Sequence, residues 1–430
     1  MKVAFYTLGC KVNQYETDLM IKEFKDAGYN IVDFKDKADV YVINSCSVTN
    51  MSTRKTRQHL SYAKKLGGIV VLVGCYAEEI KEDTKIQNVD LILGNEEKKE
   101  VVKHVDDYLR NKKNTVNYKI ADISKVTKYV QKESLIQGIN IRESVKIEDG
   151  CNNFCSYCII PYLRGRVRSR NLDDIKKEVN NLVKSGVKEV VLVGIEIASY
   201  GKDLDKKLSL VDVVEEVSKI DGLVSVRLGS IEPRVLTEEN IIRLSKINKL
   251  CPHFHISVQS IDNNVLSRMN RHYTKEFLFE RVELLRKYFK DPAITCDIIV
   301  GFPKESDNEF LTTIDGVKKI RFYEIHAFKY SKRKWTQAAK MDGQVDGDIK
   351  NIRSKELIEL GKKYKQKYME GYLNKTMNVL FESYKEGYLY GYTPNYIKVK
   401  VKGDESLWGK QLPVKLYLIE KDLMLGNILN

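Results

Sequence analysis

Asp149-Gly150-Cys151-Asn152-Asn153-Phe154-Cys155-Ser156-Tyr157-Cys158 decides the reading of this chain. Its thiols follow a C-x3-C-x2-C spacing, with an aromatic residue directly before the last Cys. Three thiolates so close in sequence can wrap one face of an iron–sulfur cubane, which Cys thiolates normally hold in fours. A local set of three leaves one iron open to a ligand that is not a side chain. A structural zinc is the alternative, but a closed zinc site takes four ligands. No His or fourth Cys stands at conventional spacing beside the run, and His253 and His255 would join it only through the tertiary fold.

Around the run, short apolar strand patterns alternate with helical ones. Strands are predicted at 143–147, 189–194, 224–228, 254–259, 294–300 and 322–328, and helices at 172–184, 210–219, 238–247, 275–289 and 307–320. Six strands with five intervening helices predict a partial (β/α)6 barrel, whose working face is the carboxyl ends of its strands. Cys151, Cys155 and Cys158 fall there, with Gly194-Ile195-Glu196, Ser230 to Pro233, Ser257 to Gln259, and Gly301-Phe302-Pro303.

Upstream, strand patterns at 3–7, 40–44, 69–73 and 89–93 alternate with helical patterns at 16–28, 52–66 and 96–111. This is the signature of a parallel sheet covered on both faces. Cys10, Cys46 and Cys75 each follow the end of one such strand. Open α/β sheets bind ligands at that edge, so three distant thiols are brought together. The plainer alternative is three unrelated core cysteines. Downstream, residues 377–429 are Tyr-rich and broken by turns into about five short strands, the pattern of a small β-barrel of oligonucleotide-binding size. The fold class is therefore α/β, in three segments: 1–138, 139–367 and 368–430.

Composition bounds the remaining possibilities. At 43% hydrophobic, the 430 residues can bury a core, which argues against wholesale disorder. Eight Cys are too dilute for a disulfide-stapled mini-fold. Apolar runs such as 69–73 and 190–195 are far too short to span a bilayer. The apolar start is broken at Cys10-Lys11-Val12-Asn13-Gln14 before a signal segment forms. We expect a cytoplasmic protein with reduced thiols and no membrane partner, in which grouped Cys bind metal. The net charge of +14 is uneven: residues 332–367 carry eleven basic and five acidic side chains. Arg164, Arg166, Arg168 and Arg170 form a second cluster, whose alternation puts guanidinium forks on one side of an extended segment. Excess positive charge favours a polyanionic partner without identifying it.

The cysteine run in this context resembles the radical S-adenosylmethionine (SAM) superfamily. The likeness sharpens along nearly the whole chain. Thr7-Leu8-Gly9-Cys10-Lys11-Val12-Asn13-Gln14-Tyr15-Glu16, Asn44-Ser45-Cys46-Ser47-Val48-Thr49 and Gly74-Cys75-Tyr76-Ala77 resemble the N-terminal domain of the methylthiotransferases. Gly150 to Arg170, Arg227 to Pro233, His253 to Gln259 and Arg268-Met269-Asn270-Arg271 extend the match. The resemblance implies two [4Fe–4S] clusters. Cys151, Cys155 and Cys158 would hold the cluster that binds and cleaves SAM, and Cys10, Cys46 and Cys75 an auxiliary, sulfur-handling one. One SAM would methylate sulfur at the auxiliary cluster. A second would give the 5′-deoxyadenosyl radical that abstracts hydrogen from C2 of an adenine ring.

The resemblance further implies SAM contacts from Tyr157, Gly194, Glu196, Glu232, Ser257 and Gln259, an electron donor, a sulfur source and a C-terminal TRAM barrel for RNA. Its branch that modifies N6-threonylcarbamoyladenosine beside the tRNA anticodon best matches Cys10 to Glu16 and Gly391-Tyr392-Thr393-Pro394-Asn395-Tyr396. The branches acting on isopentenyladenosine or on a ribosomal-protein aspartate are the alternatives, and a zinc-dependent RNA-binding protein is the distant one. Arg164, Arg166, Arg168 and Arg170 are assigned to RNA phosphates or to ion pairs inside the barrel. Lys332-Arg333-Lys334 is assigned to phosphate, because it leads from the barrel toward the RNA module. Tyr388, Tyr390, Tyr392 and Tyr396 either stack on bases or pack the small barrel. Four positions depart from the family pattern: Ile261, Lys304 and Trp335, where Gly is expected, and Asp342, where Pro is expected.

Overall fold

A computed structural model describes residues 1–81, 86–111, 116–130 and 140–429. The expected boundary at 138/139 lies outside the described residues. Contacts group the chain into two units, each composite in sequence: Met1–Ile136 with Lys146–Arg170 and Ser331–Ala339, and Gln137–Val145 with Asn171–Tyr330 and Lys340–Asn430.

The first unit is built on a six-stranded sheet. Its strands are β1 (Lys2–Thr7), β2 (Asn30–Val32), β3 (Val40–Ser45), β4 (Ile69–Gly74), β5 (Leu91–Leu93) and β6 (Asn117–Lys119), in the order β2-β1-β3-β4-β5-β6. Every pairing is parallel. The helices are α1 (Lys11–Asp26), α2 (Asn50–Lys65), α3 (Cys75–Glu79) and α4 (Val101–Arg110). Alternation along β3 and β4 explains the double cover. Val40, Val42, Val71 and Val73 pack with Met20 and Phe24 of α1 and Val101 and Val105 of α4. Tyr41, Ile43, Val70 and Leu72 pack on the other face with Leu60 and Ala63 of α2 and Tyr76 and Ala77 of α3. The sequence placed the start of α1 near residue 16; the helix starts at Lys11, with extended Cys10 as its N-cap residue. Polar Asn13 and Gln14 hid that first turn from the hydrophobic pattern.

The same unit holds the segment 146–170. Here β8 (Glu148–Asp149) pairs antiparallel with β9 (Arg168–Ser169), and α5 (Ile160–Arg164) lies between them.

The second unit carries the barrel. Strand β7 (Arg142–Lys146) joins β10 (Glu189–Val193) and β11 (Ser225–Leu228) in one sheet. Strands β12 (Ser230–Ile231), β13 (His253–Gln259), β14 (Ala293–Val300) and β15 (Glu324–Lys329) form the next. Only Gly229 separates β11 from β12, so the strands occupy six successive positions. The connecting helices are α6 (Leu172–Lys184), α7 (Leu210–Ser218), α8 (Glu238–Ser245), α9 (Asn263–Arg268), α10 (Lys275–Tyr288) and α11 (Asp307–Ile320). This is the expected partial (β/α)6 architecture.

After α12 (Gly347–Glu370), strands β16 (Thr376–Lys385), β17 (Tyr388–Tyr392), β18 (Lys398–Lys402), β19 (Gln411–Glu420) and β20 (Leu423–Ile428) close the expected five-stranded barrel, in the order β16-β17-β18-β20-β19. Val379, Phe381, Leu389, Val399, Val414 and Met424 fill it.

The departures from the family pattern are accommodated. Lys304 and Trp335 keep positive φ angles of 64° and 66°, the backbone a Gly would supply. Lys304 Nζ pairs with Asp342 at 2.7 Å, so two departures answer each other. Ile261 is fully buried against Gly316, where a Cβ would stand 2.3 Å from its Cγ2.

Candidate active site

The first triad sits where the sheet topology reverses. The chain leaves β1 toward β2, then crosses back to place β3 on the other side of β1. Such a switch point opens a crevice at the strand carboxyl ends. Cys10 follows β1, Cys46 follows β3, and Cys75 opens α3 after β4. Local chemistry fixes these three ends together. Asn13 Nδ2 donates to the Leu8 carbonyl at 2.7 Å and the Ser45 carbonyl at 2.9 Å, joining the Cys10 and Cys46 loops. Ser45 Oγ donates to the Val73 carbonyl and accepts the Tyr76 N–H at 3.1 Å, which joins β3 to the Cys75 turn. Gly9, at φ +110°, has no space for a side chain: a Cβ would lie 2.9 Å from Cys46 Cβ. Cys10 is solvent-exposed, whereas Cys46 and Cys75 are buried. Burial and the neighbouring Cys75 push the Cys46 thiol up to about 11.

The second set lies on the loop joining β8 to α5. Gly150, at φ +84°, lets the backbone close on itself, since a Cβ there would stand 2.0 Å from the Arg166 carbonyl oxygen. The Cys151 N–H donates to the Gly165 carbonyl at 3.1 Å, and the Cys158 N–H to the Cys155 carbonyl at 2.9 Å. The Asn153 N–H points at Cys151 Sγ, 3.4 Å away. Cys151, Tyr157, Cys155 and Cys158 are half-buried, within reach of a ligand yet held by the loop. Trp335 packs with Cys75, Ile159 and Leu163.

Among the described residues, no three His, Cys, Asp or Glu side chains are grouped for a single metal ion. All-thiol donor sets with N–H···S contacts, from Asn153 to Cys151 in one group and from Val48 to Cys46 and Arg164 to Cys75 in the other, have the donor chemistry of iron–sulfur ligation.

Beneath the triad is a network that the sequence did not disclose. Arg164 is completely buried. It grips both oxygens of Glu16, at 2.6 and 3.0 Å, reaches Asn13 Oδ1 at 2.7 Å, and directs Nε at Cys75 Sγ, 3.4 Å away. Lys98 and Lys146 also hold Glu16, at 2.6 and 2.7 Å. Lys146 and Arg168 share Asp149, at 2.7 and 3.6 Å. Burial alone would raise the Glu16 carboxyl, but Arg164, Lys146 and Lys98 hold it well below the ordinary carboxylate range. Asp149 is likewise lowered: burial opposes ionisation, and Lys146 and Arg164 override it. Burial also pulls Lys98 down, against the attraction of Glu16.

This settles the placement of the arginine run. Arg164, Arg168 and Arg170 are interior, with Arg170 3.5 Å from Tyr15 Oη and 3.4 Å from the Lys146 carbonyl. These three side chains are engaged in internal pairing, away from the surface at which an RNA phosphate would be met. Arg166 is exposed and lies over the Phe154 ring, 4.5 Å from its centroid. Arg333 is buried as well, donating to the Ser47 carbonyl at 3.2 Å and to Asn50 Oδ1. Lys332 and Lys334 are exposed.

In the second unit, polar groups gather at the ends of β10, β12 and β13. Gly194 and Glu196 follow β10, Glu232 follows β12, and Ser257 and Gln259 end β13. Arg271, the last residue of the Arg268-Met269-Asn270-Arg271 motif, ties this group together. It lies 3.6 Å from Glu232 Oε1 and donates to the Ser257 carbonyl at 2.8 Å. Burial first, then the charge of Glu232, push Glu196 up to about 7. Carboxylates for hydroxyl and ammonium groups, with a cation for a carboxylate, are a donor set that fits SAM. Gln259 adopts φ +68°, a strained backbone for a non-Gly residue at a strand end.

Of the four barrel tyrosines, Tyr392 and Tyr396 stack on each other at 4.7 Å, and Tyr396 stacks on His253 at 4.6 Å. Arg227 covers Tyr396 at 4.5 Å, so these two rings pack the structure. Tyr388 remains exposed.

Comparison with known proteins agrees with this geometry. Residues 145–317 match the Radical SAM superfamily, and residues 2–94 match Uncharacterized protein family UPF0004. The chain is 40% identical over 423 residues to the threonylcarbamoyladenosine tRNA methylthiotransferase MtaB of Bacillus subtilis, covering 96% of this chain and 93% of that one. It is 38% identical to the protein of the same name from Aquifex aeolicus, covering 94% and 97%. It is 34% identical to the tRNA-2-methylthio-N(6)-dimethylallyladenosine synthase of Clostridium tetani, covering 87% and 83%. Among solved structures, the radical SAM methyltransferase TsrM of Kitasatospora setae shares the fold, with a TM-score of 0.57 at 13% identity over 79% of this chain and 74% of that one.

Proposed function

This chain belongs to the radical SAM methylthiotransferase family, and from that membership we propose that it methylthiolates C2 of N6-threonylcarbamoyladenosine beside the tRNA anticodon. The carrying observation is the near-full-length match to two relatives named for that nucleoside, at 40% and 38% identity, against 34–35% for several relatives named for dimethylallyladenosine and 35% for a third named for threonylcarbamoyladenosine.

On this reading Cys151, Cys155 and Cys158 hold the SAM-binding cluster and Cys10, Cys46 and Cys75 the auxiliary one. When bound, the clusters and SAM supply the radical and the sulfur for the transfer. The protein supplies position, a proximity effect. Asn13 and Ser45 fix the three strand-end loops, and Arg164 holds the Cys75 sulfur by its Nε–H. In the second unit Gly194, Glu196, Glu232, Ser257 and Gln259 are the residues proposed to receive SAM, with Arg271 orienting Glu232; in the first, Tyr157 is proposed for the same ligand beside Cys158. The reaction needs an electron donor and a sulfur source, and it takes place in the cytoplasm, where tRNA is matured. Among the described residues, no helix is long and apolar enough to cross a membrane.

Anaerobically purified protein should contain about eight irons per chain and matching sulfide. Stoichiometric zinc in a colourless protein would remove the radical reading. The triple variant Cys10→Ala, Cys46→Ala, Cys75→Ala should still cleave SAM yet form no methylthio product. Nucleoside mass spectrometry of tRNA from a strain lacking the protein should show loss of 2-methylthio-N6-threonylcarbamoyladenosine. Loss of the methylthio-isopentenyl nucleoside instead would move the enzyme to the other tRNA branch.

A further inference from the structure

Helix α2 stands out in composition and in placement. It carries Arg54, Lys55, Arg57, Lys64 and Lys65 and no acidic residue. Thr56, Leu60 and Ala63 face the sheet, which leaves Arg54, Lys55, Arg57, Gln58, Tyr62 and Lys65 exposed. Arg54, Arg57, Gln58, Ser61 and Lys65 recur at helical spacing along one wall of a groove of about 770 Å³. Lys332 and Arg333 also line it, and Glu79 is its one acidic lining residue among those described. Glu79 is already engaged, accepting from Ser47 Oγ and lying 3.9 Å from Arg333. Arg333 acts as the anchor: buried, it bonds Ser47 and Asn50 and so fixes Lys332 at the groove edge. Arg57 Nε donates to Tyr76 Oη at 2.7 Å, which orients its guanidinium.

Lys64, which points elsewhere, pairs with Asp90 at 2.7 Å. Among the described residues no acid pairs with Arg54, Lys55, Lys65 or Lys332. Like charges on one helix face repel unless an anion sits among them. From Arg54 to Lys65 the row is roughly 16 Å long, at about 1.5 Å per residue. That is enough for more than one backbone phosphate. Polar donors Asn50, Thr53, Gln58 and Ser61 lie among the cations, and the Tyr62 ring is exposed beside them. Cations interleaved with hydrogen-bond donors suit a nucleic-acid backbone.

We propose that the exposed face of α2, together with Lys332, is a phosphate-binding groove for the backbone of the RNA substrate. The proposal rests on the tRNA reading above and adds a surface to it, on the unit that carries Cys10, Cys46 and Cys75. The binding is sequence-independent, since the groove offers charge and donors to phosphates. It therefore sets affinity and register more than nucleoside choice.

The test uses the anaerobically purified full chain and a fluorescein-labelled anticodon stem-loop RNA, read by anisotropy across a salt series. The variant Arg54→Glu, Lys65→Glu, Lys332→Glu is compared with wild type and with the milder Arg54→Ala, Lys65→Ala, Lys332→Ala. Iron content and melting temperature verify that both variants are folded. The alanine variant should bind at least tenfold more weakly at 0.1 M salt. Its slope of log affinity against log salt should flatten by about 2, at about 0.7 per lost phosphate contact. The glutamate variant should bind more weakly still. Wild-type affinity and slope in both variants would overturn the groove while leaving the tRNA reading intact. Failure of the wild type to bind the RNA at low salt would overturn the tRNA reading and the groove with it. Unchanged RNA binding, with lost reduction by an acidic flavoprotein, would show the face to be a protein-docking surface and overturn the proposal.

Discussion

Around Arg164, four cations (Arg164, Lys98, Lys146 and Arg168) share two carboxylates, Glu16 and Asp149, in the interior of the first unit. Along α2, five cations share no acid of their own helix and face outward. A sum over the sequence counts the two groups alike. Physically they are opposites. In the first, charge has been taken out of water and is held by short, directed hydrogen bonds, so its role is to fix backbone segments that carry thiols. In the second, charge stays hydrated, and Arg54, Lys55 and Lys65 meet no acid among the described residues, which suits them to an anion. Positive charge thus reads as a binding surface only after burial and pairing are known.

The largest expected effect breaks the interior group. Arg164→Leu leaves Glu16 short of its bidentate partner and should destabilise the first unit by about 3–5 kcal/mol, the cost of removing one member of a buried ion pair. Hydrogen exchange in α1 and β3 should accelerate accordingly. Unchanged protection would mean the network is ornamental.

A buried carboxyl without such a set of cations should respond to pH in the opposite sense. Glu196 is raised to about 7 by burial and Glu232. Its contribution to stability is complete below the unfolded value of about 4.3 and is lost as pH rises through 7. Glu16 and Asp149 are held low, so their contribution is present above about 4 and is lost only as pH falls further, through their depressed values. Thermal melts of SAM-free protein should show Glu196→Gln flattening the decline between pH 5 and 8 by the order of 2 kcal/mol. Between pH 7 and 4.5 the network of the first unit should hold. Equal pH profiles for wild type and Glu196→Gln would refute the assignment.

Salt separates the two groups further. Raising it from 0.1 to 0.5 M should weaken RNA binding at least tenfold, while hydrogen exchange around Glu16 stays constant, because exposed charges are screened and buried pairs are not. The smallest effect sharpens the contrast. Arg54→Ala alone should alter stability by less than about 0.5 kcal/mol and RNA affinity by only a few-fold. A large stability loss there would place Arg54 with the interior group.

The sequence made the strand-end cysteines legible because β1, β3 and β4 are uninterrupted apolar runs, and a Cys just past such a run can only lie at one edge of a parallel sheet. Helices Leu172–Lys184 and Asp307–Ile320 were equally plain, having strong apolar periodicity and polar caps at Asn171 and Ser306. The interior network was hidden. Arg164 and Glu16 are 148 residues apart, and nothing in either neighbourhood says that the fold will bury them together. The Arg164-Gly165-Arg166-Val167-Arg168-Ser169-Arg170 alternation looks like a surface comb, and only Arg166 is exposed. The role of Arg271 is hidden for a related reason: its partners, Glu232 and Ser257, come from neighbouring barrel strands. Lys304 and Trp335 show the limit of pattern matching, because the positive φ persists where the glycine does not.

Arg333 meets Asn50 across 283 residues of chain. At about 5–20 residues per second of synthesis, roughly 15–55 s pass between the emergence of α2 and that of its strap. Throughout that interval the nascent N-terminal sheet presents a bare cationic helix to a ribosome made largely of RNA. Completion of the first unit is thus timed by translation, and a chain stalled before residue 331 would carry its phosphate-seeking face without the anchor that shapes it.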